Sequence, residues 1–409
     1  MPGSKKRNIL FVDYDPQILQ GLQWMLNSMR NKWEMKFVEG GAAALSLLQN
    51  EPIDIVVTDM RMPGIDGIQL LSEIKQQFSE VVRIALSGYF DKQMIMMSVS
   101  LAHQFYAKPC DPQTLISAIS RVCSISDLLG DQTLKKLVTQ ISSLPSLPVL
   151  YVQLQQVIQD EDSSFNLVAE IISKDMGMTA KVLQLANSAF FGLPRKINSP
   201  KEAILFIGLK TLEALILSVH IFDQFKNASR FASFLNNLWL HSQATAGIAR
   251  AICQREGTDR SEACYAAMAG FLHDCGKLVL ADNFPDKYDQ ALFLSEQDRI
   301  PLYQAEEKIF GAHHGSVGGY LLGIWGLPDQ MIEAVSYHHQ PHFSPLDYFD
   351  VLTAVHAANA LEQKEVALEE KGNKSVVNKS YLLKLGMLNR LPDWQTMVKE
   401  FKGKGATLG

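Results

Sequence analysis

Short apolar runs alternate with helix-like segments over the first third of the chain. The runs are rich in valine, isoleucine, leucine and phenylalanine, and they cover residues 9–13, 35–38, 53–59, 81–87 and 104–108. Runs of this length predict strands that are buried on both faces, as in parallel sheets. Apolar residues at helical spacing fill the segments between them. The alternation predicts a doubly wound, five-stranded parallel sheet with helices on both faces.

The pattern becomes purely helical from Pro112 onward. Apolar residues then recur at alternating intervals of three and four, at Leu115, Ala118, Val122, Ile125 and Leu129. This spacing is typical of a helix with one apolar stripe and also of a short coiled coil. One interpretation is a last helix that packs on its own sheet and leads into a linker. The other is a signalling helix over 112–141 that docks on the next domain or forms a homodimer.

Strand-like patterns cease after Pro148, so the remainder is expected to be all-α. We therefore predict an α/β domain, a helical linker and an all-α domain, at 6–125, 126–143 and 144–395. The all-α domain is expected to comprise a first helical part, a second helical part and a C-terminal helix, at 144–227, 228–362 and 380–401. The polar, glycine-interrupted residues 363–380 predict an exposed loop.

Composition narrows the class of protein. The 409 residues are 47% hydrophobic, which is enough for two or three domain cores. The 38 basic and 43 acidic residues give a formal charge of −5, and the basic residues are scattered. A DNA-binding domain is therefore not expected, because phosphate neutralisation needs clustered cations. No apolar run approaches the roughly 18 residues of a membrane span, so we expect a cytoplasmic protein.

Four of the predicted strands end in side chains that suit a single reaction. They are Asp13, Asp59, Ser87 and Lys108, and the carboxyl ends of parallel strands meet at one edge of the sheet. A carboxylate that accepts a phosphoryl group needs an adjacent Mg²⁺ ion to offset the negative charges. A hydroxyl group and an ammonium group can then hold the transferred oxygens. The strand ends therefore predict a site for carboxyl phosphorylation.

The order of acid, acid, hydroxyl and Lys-Pro resembles the receiver domain of two-component response regulators, over about residues 6–125. The resemblance implies a flavodoxin-like fold, a Mg²⁺ cofactor and phosphotransfer from a sensor histidine kinase. It assigns Asp59 as the phosphoacceptor, and Ser87, Phe105 and Lys108 as the phosphate-contacting and switch residues. The implied Mg²⁺ pocket comprises Asp13, Asp15, Asp59 and the backbone of Arg61.

One residue of the predicted pocket departs from the family pattern. Receivers usually have two adjacent acids after the first strand, and here Tyr14 follows Asp13. We expect weaker Mg²⁺ binding and slower phosphorylation unless Asp15 reaches the metal. A receiver that signals without phosphate is a second interpretation. A flavodoxin-like binding module with incidental acids is a third.

Eight of the ten histidines fall between residues 241 and 356. Imidazole and carboxylate groups brought together from several helices suit a transition metal or a dinuclear site. The segment around His273-Asp274 resembles the motif of the HD superfamily of metal-dependent phosphohydrolases. More closely, residues 135–395 resemble the HDOD domain, an HD-related helical output module. The motifs that carry this resemblance are Leu144-Pro-Ser-Leu-Pro148, Lys181 to Asn187, Trp325-Gly-Leu-Pro328 and Tyr337-His338-His339.

The resemblance implies a possible HD-type metal site with iron, manganese or zinc. Its ligands would be His241, His273, Asp274, His314, His338 and His339. Asn359 stands where the late acid of HD hydrolases is expected, and a Gly-Tyr-Pro signature is missing after the histidine pair. HDOD domains are also generally regarded as lacking hydrolase activity, so no catalytic residue is assigned. The alternative is that the histidines are vestigial and hydrogen-bonded in a helical core.

These features predict a phosphorylation-controlled response regulator whose HDOD output acts by protein–protein interaction in signal transduction. The expected partners are a sensor histidine kinase, a downstream protein and a second copy bound through the 112–141 helix. The alternative is a receiver-gated, metal-dependent phosphodiesterase that acts on a cyclic dinucleotide or another nucleotide. In that enzyme Lys277 would contact the phosphate.

Overall fold

The computed structural model describes most of the chain. The described residues are 6–88, 98, 100–146, 148–159, 164–187, 196–214, 216, 223–366 and 376–403. The centre of the predicted loop at 363–380 lies outside the described residues. Within the described part, no helix is both long enough and apolar enough to cross a bilayer.

The first domain is a five-stranded parallel sheet covered by helices. Its strands are β1 (Arg7–Asp13), β2 (Trp33–Glu39), β3 (Ile55–Asp59), β4 (Val82–Ser87) and β5 (Gln104–Ala107). They lie in the order β2-β1-β3-β4-β5, so the order reverses once, where the chain passes from β2 over β1 to β3. The described helices of this domain are α1 (Pro16–Met25), α2 (Gly41–Asn50), α3 (Gly67–Gln77) and α4 (Pro112–Ile125), with a 3₁₀ turn at Asn27–Met29. The predicted α/β fold is confirmed.

Burial on both faces explains why β3 is apolar throughout. Ile55 and Val57 join the core on one side of the sheet, and Val56 joins the core on the other side. The strand ends at Asp59, and Gly67 packs against it at the start of α3. A methyl group at Gly67 would lie 2.4 Å from the carbonyl oxygen of Asp59. This close approach fixes the turn that follows the strand.

The second domain and its linker are almost entirely helical. The helices are α5 (Gln132–Gln140), α6 (Pro148–Gln159), α7 (Phe165–Ser173), α8 (Met176–Ala186), α9 (Pro200–Ile207), α10 (Leu209–Ala214), α11 (Ala232–Arg255), α12 (Arg260–Leu272), α13 (Cys275–Asn283), α14 (Pro285–Asp298), α15 (Leu302–Phe310), α16 (His314–Ile324), α17 (Asp329–Tyr337), α18 (Val351–Val366), α19 (Lys379–Lys384) and α20 (Leu391–Gly403). Short 3₁₀ turns occur at Ser126–Leu128, Pro341–Phe343 and Leu388–Arg390. The all-α class predicted for this region is confirmed.

A small strand pair in the helical domain has no counterpart in the sequence pattern. β6 (Pro145–Ser146) and β7 (Asp223–Gln224) pair in parallel. Each strand has two residues, which is too short to show a period of two. Gly177 packs beneath this pair, and a methyl group there would lie 2.5 Å from the carbonyl oxygen of Leu144.

Helix α16 of the second domain contacts both the first domain and the linker helix. All eleven of its residues are buried, and its glycines allow close approach by neighbouring elements. A methyl group at Gly323 would lie 2.2 Å from Cδ1 of Ile125, at the end of α4. Near the middle of α16, the Tyr320 hydroxyl lies 3.0 Å from Oγ1 of Thr139 in the linker helix α5. The C-terminal end of α4 and the linker helix α5 therefore contact the helical domain.

Candidate functional site

Three of the predicted strand-end residues meet at the carboxyl edge of the sheet. Nζ of Lys108 lies 2.5 Å from Oδ2 of Asp13 and 2.9 Å from Oδ1 of Asp59. Both carboxylates are almost fully buried, and Lys108 is mostly buried. The ammonium group therefore bridges the two acids and offsets their charge.

Burial has the largest influence on the pKa of Asp59. It raises the pKa of Asp59 above its usual value, and the hydrogen bond from Lys108 opposes this effect. Ser87 is buried at the end of the adjacent strand, and its carbonyl oxygen accepts the backbone N–H of Lys108 at 2.8 Å. Phe105 packs with Met60, the residue after Asp59. The residues predicted as switch residues therefore lie at the same edge of the sheet as Asp59, on β4, on β5 and directly after β5.

In the structure Asp15 caps a helix, and Tyr14 is exposed. The Asp15 carboxylate accepts the Gln17 N–H at 2.8 Å and caps the N-terminus of α1. Tyr14 is 51% exposed. Mg²⁺ is commonly held by one or two carboxylates with water completing the shell. Asp13 and Asp59 fit that requirement, with the backbone of Arg61 two residues beyond Asp59.

Replacing Asp15 separates its capping role from a metal role. We expect Asp15→Ala to destabilise the domain by about 1 kcal/mol, because an N-terminal amide of α1 loses its acceptor. We expect Asp15→Asn to keep both the stability and the Mg²⁺ affinity, because an amide oxygen can still cap. Thermal unfolding and Mg²⁺ titration check this. A large loss of Mg²⁺ affinity in Asp15→Asn would place this carboxylate at the metal.

The second candidate site is a cluster of imidazoles around Asp274. Two groups of side chains share this carboxylate, and the ligand atoms within each group lie within 4.8 Å of one another. One group contains His314, His338 and His339, and the other contains His241 and His273. All six residues predicted as possible metal ligands are thus brought together by five helices, α11, α12, α13, α16 and α17, and their termini.

Hydrogen bonds fix the orientation of the imidazoles. Nδ1 of His273 lies 2.7 Å from the carbonyl oxygen of Gly270, and Nδ1 of His338 lies 2.8 Å from that of Val335. Because each Nδ1–H is donated outward, each Nε2 atom faces the centre of the cluster. A partner on Nδ1 is the usual arrangement around metal-bound histidines.

Two glutamates orient two further rings, those of His314 and His241. Nδ1 of His314 lies 2.5 Å from the buried carboxylate of Glu306, and Nδ1 of His241 lies 2.6 Å from Glu362. Sequence analysis missed both glutamates. Glu362 follows Asn359 by three residues on α18, so helical spacing could have revealed it. Glu306 stands beside the partly exposed Glu307, and the sequence gives no sign of which one is buried.

Electrostatics favour an ionised acid among mostly neutral imidazoles. Burial opposes ionisation of Asp274, but His273 and Lys277 hold its pKa well below the usual value. Burial lowers the pKa of His273 to about 3, and it lowers that of His338 well below 6.5. His314 differs: burial lowers its pKa, but Glu306 and Asp274 together raise it above the usual value. Neutral imidazole and carboxylate are the forms that bind metals.

Family models match both halves of the chain. Residues 9–120 match the response regulator receiver domain, and residues 144–341 match the HDOD domain. The chain is a receiver–HDOD response regulator. Both resemblances drawn from the sequence motifs are therefore confirmed.

Curated relatives match parts of the response regulator. An uncharacterized protein of Treponema pallidum is 25% identical over 54% of this chain and 42% of its own length. The hydrogenase transcriptional regulatory protein HoxA of Cupriavidus necator is 28% identical over 47% of this chain and 39% of its own length. The response regulator thus spans about two fifths of the length of each of these relatives.

Solved structures also resemble parts of the response regulator. The MmoQ response regulator of Methylococcus capsulatus is 23% identical, with a TM-score of 0.46, and the match covers 62% of this chain and 98% of that one. The receiver domain of an HD domain-containing protein from Pseudomonas fluorescens is 30% identical, with a TM-score of 0.28, over 29% of this chain and 96% of that one.

Proposed function

We propose that phosphorylation of Asp59 by a sensor histidine kinase controls how the receiver docks on the HDOD domain. The HDOD domain in turn binds or releases a downstream protein in the cytoplasm. The observation that carries this proposal is that one strand, β5, contacts the phosphorylation site with one face and the HDOD domain with the other.

The alternation of side chains along β5 explains this double contact, because successive residues face opposite sides of a sheet. Phe105 packs with Met60 and Leu71 on the side of the phosphoacceptor. On the opposite face, Nε2 of Gln104 donates to the carbonyl oxygens of Gly323 and Ile324, at 3.3 and 2.9 Å. A movement of β5 at one face therefore alters the contacts at the other.

Further polar contacts fix the docked position. Arg121 of α4 forms an ion pair with Asp329 at the start of α17. On the other side, Nε2 of Gln184 donates to the carbonyl oxygen of His103 at 3.3 Å. Tyr106 is partly buried here, and its hydroxyl donates to Oε1 of Gln104 at 2.7 Å. Loss of register in β5 would break several of these bonds together.

Lys108 provides the link from the phosphoryl group to β5. Its ammonium group bridges Asp13 and Asp59, and its backbone directly follows the strand. A phosphoryl group on Asp59 adds negative charge and new acceptor oxygens beside this ammonium. Lys108 would then move toward the phosphoryl oxygens and pull on the end of β5. Such a switch shifts an existing equilibrium between docked and released receivers.

Interaction with a protein fits the HDOD site better than hydrolysis does. A phosphodiesterase would use Lys277 on the substrate phosphate, but its Nζ lies 2.6 Å from Oδ2 of Asp274. The neutral amide of Asn359 lies 3.1 Å from His241, where a hydrolase would place a carboxylate. Both features reduce the charge available to hold a dinuclear metal centre.

A homodimer through the 112–141 helix would belong to the released state. Leu115, Val122 and Leu134 are almost fully buried inside the chain. Separation of the domains would expose the end of this stripe at Ile125, which packs against Gly323 of α16, for pairing with a second copy.

The experiment compares wild type with Asp59→Asn after incubation with acetyl phosphate and Mg²⁺. Intact-mass measurement should find one added phosphoryl group on the wild type and none on the variant. Small-angle scattering should then give a larger radius of gyration for the modified wild type alone. An unmodified wild type would favour a receiver that signals without phosphate. A modified wild type with an unchanged radius would overturn control through docking.

A further inference from the structure

Asp274 directs its two carboxylate oxygens to different halves of the histidine cluster. Oδ2 lies 3.3 Å from Nε2 of His273 and 3.7 Å from Nε2 of His241. Oδ1 lies 3.1 Å from Nε2 of His314 and 3.8 Å from Nε2 of His338. The cluster therefore has two possible cation positions, one on each side of the shared acid.

The side that faces His241 and His273 is already supplied with positive charge and hydrogen-bond donors. The Lys277 ammonium lies 2.6 Å from Oδ2 of Asp274. Oδ1 of Asn359 lies 3.1 Å from Nε2 of His241. Rotating the amide by 180° exchanges its oxygen and nitrogen, and the NH₂ group can then donate to this atom. Lys277 satisfies the acid and Asn359 can satisfy His241, but Nε2 of His273 also faces Nε2 of His241, at 3.2 Å. The ammonium group already on Oδ2 therefore distinguishes this side, because it occupies the oxygen that a metal ion would need.

On the opposite side, imidazole nitrogens face the shared acid. His338 is fully buried, and its Nε2 atom has no hydrogen-bond partner among the described residues. Oδ1 of Asp274 faces the imidazoles of His314 and His338. Nε2 of His339 lies 2.9 Å from Nε2 of His314, whose Nδ1 faces Glu306. Buried acceptors that face one another are costly unless a proton or a cation lies between them.

We propose that a single divalent transition-metal ion binds to Asp274, His314, His338 and His339, and that the position beside His241 and His273 stays metal-free. Three imidazoles and one carboxylate suit zinc or iron. Four protein ligands complete a tetrahedral shell, which is the arrangement of structural rather than catalytic zinc sites. This inference goes beyond the proposed function and does not depend on phosphorylation of the receiver.

The ion would join three helix termini. Asp274 precedes α13, His314 begins α16, and His338 follows α17. The far end of α16 accepts the hydrogen bonds from Gln104 of the receiver. The ion therefore fixes the helix on which the receiver docks, at the end opposite to the docking contacts.

Zinc titration of chelator-stripped protein tests the assignment, with cobalt as a spectroscopic probe. We expect one Zn²⁺ per chain and the intense visible absorption of four-coordinate Co²⁺. His339→Gln and His241→Gln form a matched pair, because both rings are only partly buried and lie on opposite sides of Asp274. His339→Gln should weaken Zn²⁺ binding by at least about tenfold and change the Co²⁺ spectrum, since it removes a ligand. His241→Gln should leave both nearly unchanged.

Circular dichroism establishes that each variant is folded before metal is added. Two ions per chain, or an equal loss of affinity in both variants, would overturn the assignment of a single ion to this side. Folded wild type that binds no zinc would overturn the site itself. Asp274→Asn gives an independent check, because it should abolish binding whichever side holds the ion.

Discussion

We expect Lys108→Met to destabilise the receiver domain by about 3 kcal/mol in the absence of Mg²⁺, because removing one partner of a buried ion pair leaves an uncompensated charge. Lys108 is the ammonium within 3 Å of both Asp13 and Asp59. Methionine keeps the length of the side chain but removes the positive charge. Urea unfolding of the wild type and the variant measures the difference.

Millimolar Mg²⁺ should restore much of the stability of the variant. A cation that binds the folded state alone stabilises it by mass action, and two buried acids without an ammonium attract it more strongly. Lys136→Met is the matched control. Its partner Glu80 lies 3.8 Å away, and both side chains are about half exposed, so the expected loss is at most about 0.5 kcal/mol. Equal losses in the two variants would show that Lys108 does not compensate the acids.

Gly276→Ala should have the second large effect, at the junction of α13 with α16. A methyl group at Gly276 would lie 2.0 Å from the carbonyl oxygen of His314 and 2.9 Å from the backbone nitrogen of Gly318. A flexible side chain could move away from the added methyl group, but these backbone atoms cannot move without shifting the helix. We expect a loss of about 3 kcal/mol in the stability of the HDOD domain. Zinc binding should weaken as well, because His314 has to move away from Asp274.

Gly21→Ala provides the control for this change. Gly21 lies on the exposed face of α1, where an added methyl group meets nothing within 4 Å. Alanine there should stabilise the helix by about 0.5–1 kcal/mol. Denaturant unfolding curves of both variants give the comparison. A stability for Gly276→Ala equal to that of the wild type would mean that α13 and α16 are packed more loosely than described.

Much of the fold was predictable because its causes are local. The apolar run that ends at Asp59 reflects burial on both faces of β3, and this burial leaves a pattern in the sequence. The same holds for the strand ends that carry Asp13 and Lys108. The function of the 112–141 segment was not predictable, because its apolar stripe suits both docking and dimerisation. The docked position depends on Gly323, where the lack of a side chain lets Ile125 pack closely. No periodic pattern in the sequence marks this glycine.

The sequence indicated the members of the histidine cluster but not how the cluster divides. His-Asp and His-His pairs are visible as motifs, so the six possible ligands could be named. The separate use of the two oxygens of Asp274 depends on where Lys277 lies in space. Glu306 is a partner of His314 from another helix, eight residues away, and resembles any surface glutamate in sequence. Contacts of this kind depend on tertiary packing.

The measurement that tests the central claim most directly is hydrogen exchange with and without a beryllofluoride phosphate mimic and Mg²⁺. We predict faster exchange in the linker helix α5 and at the end of α16, around Gly323 to Gly326, when the mimic binds the wild type. Asp59→Asn should show no such change, and α12 in the HDOD interior should exchange equally in all samples. Unchanged exchange at α5 and α16 in fully modified wild type would contradict control of docking by Asp59.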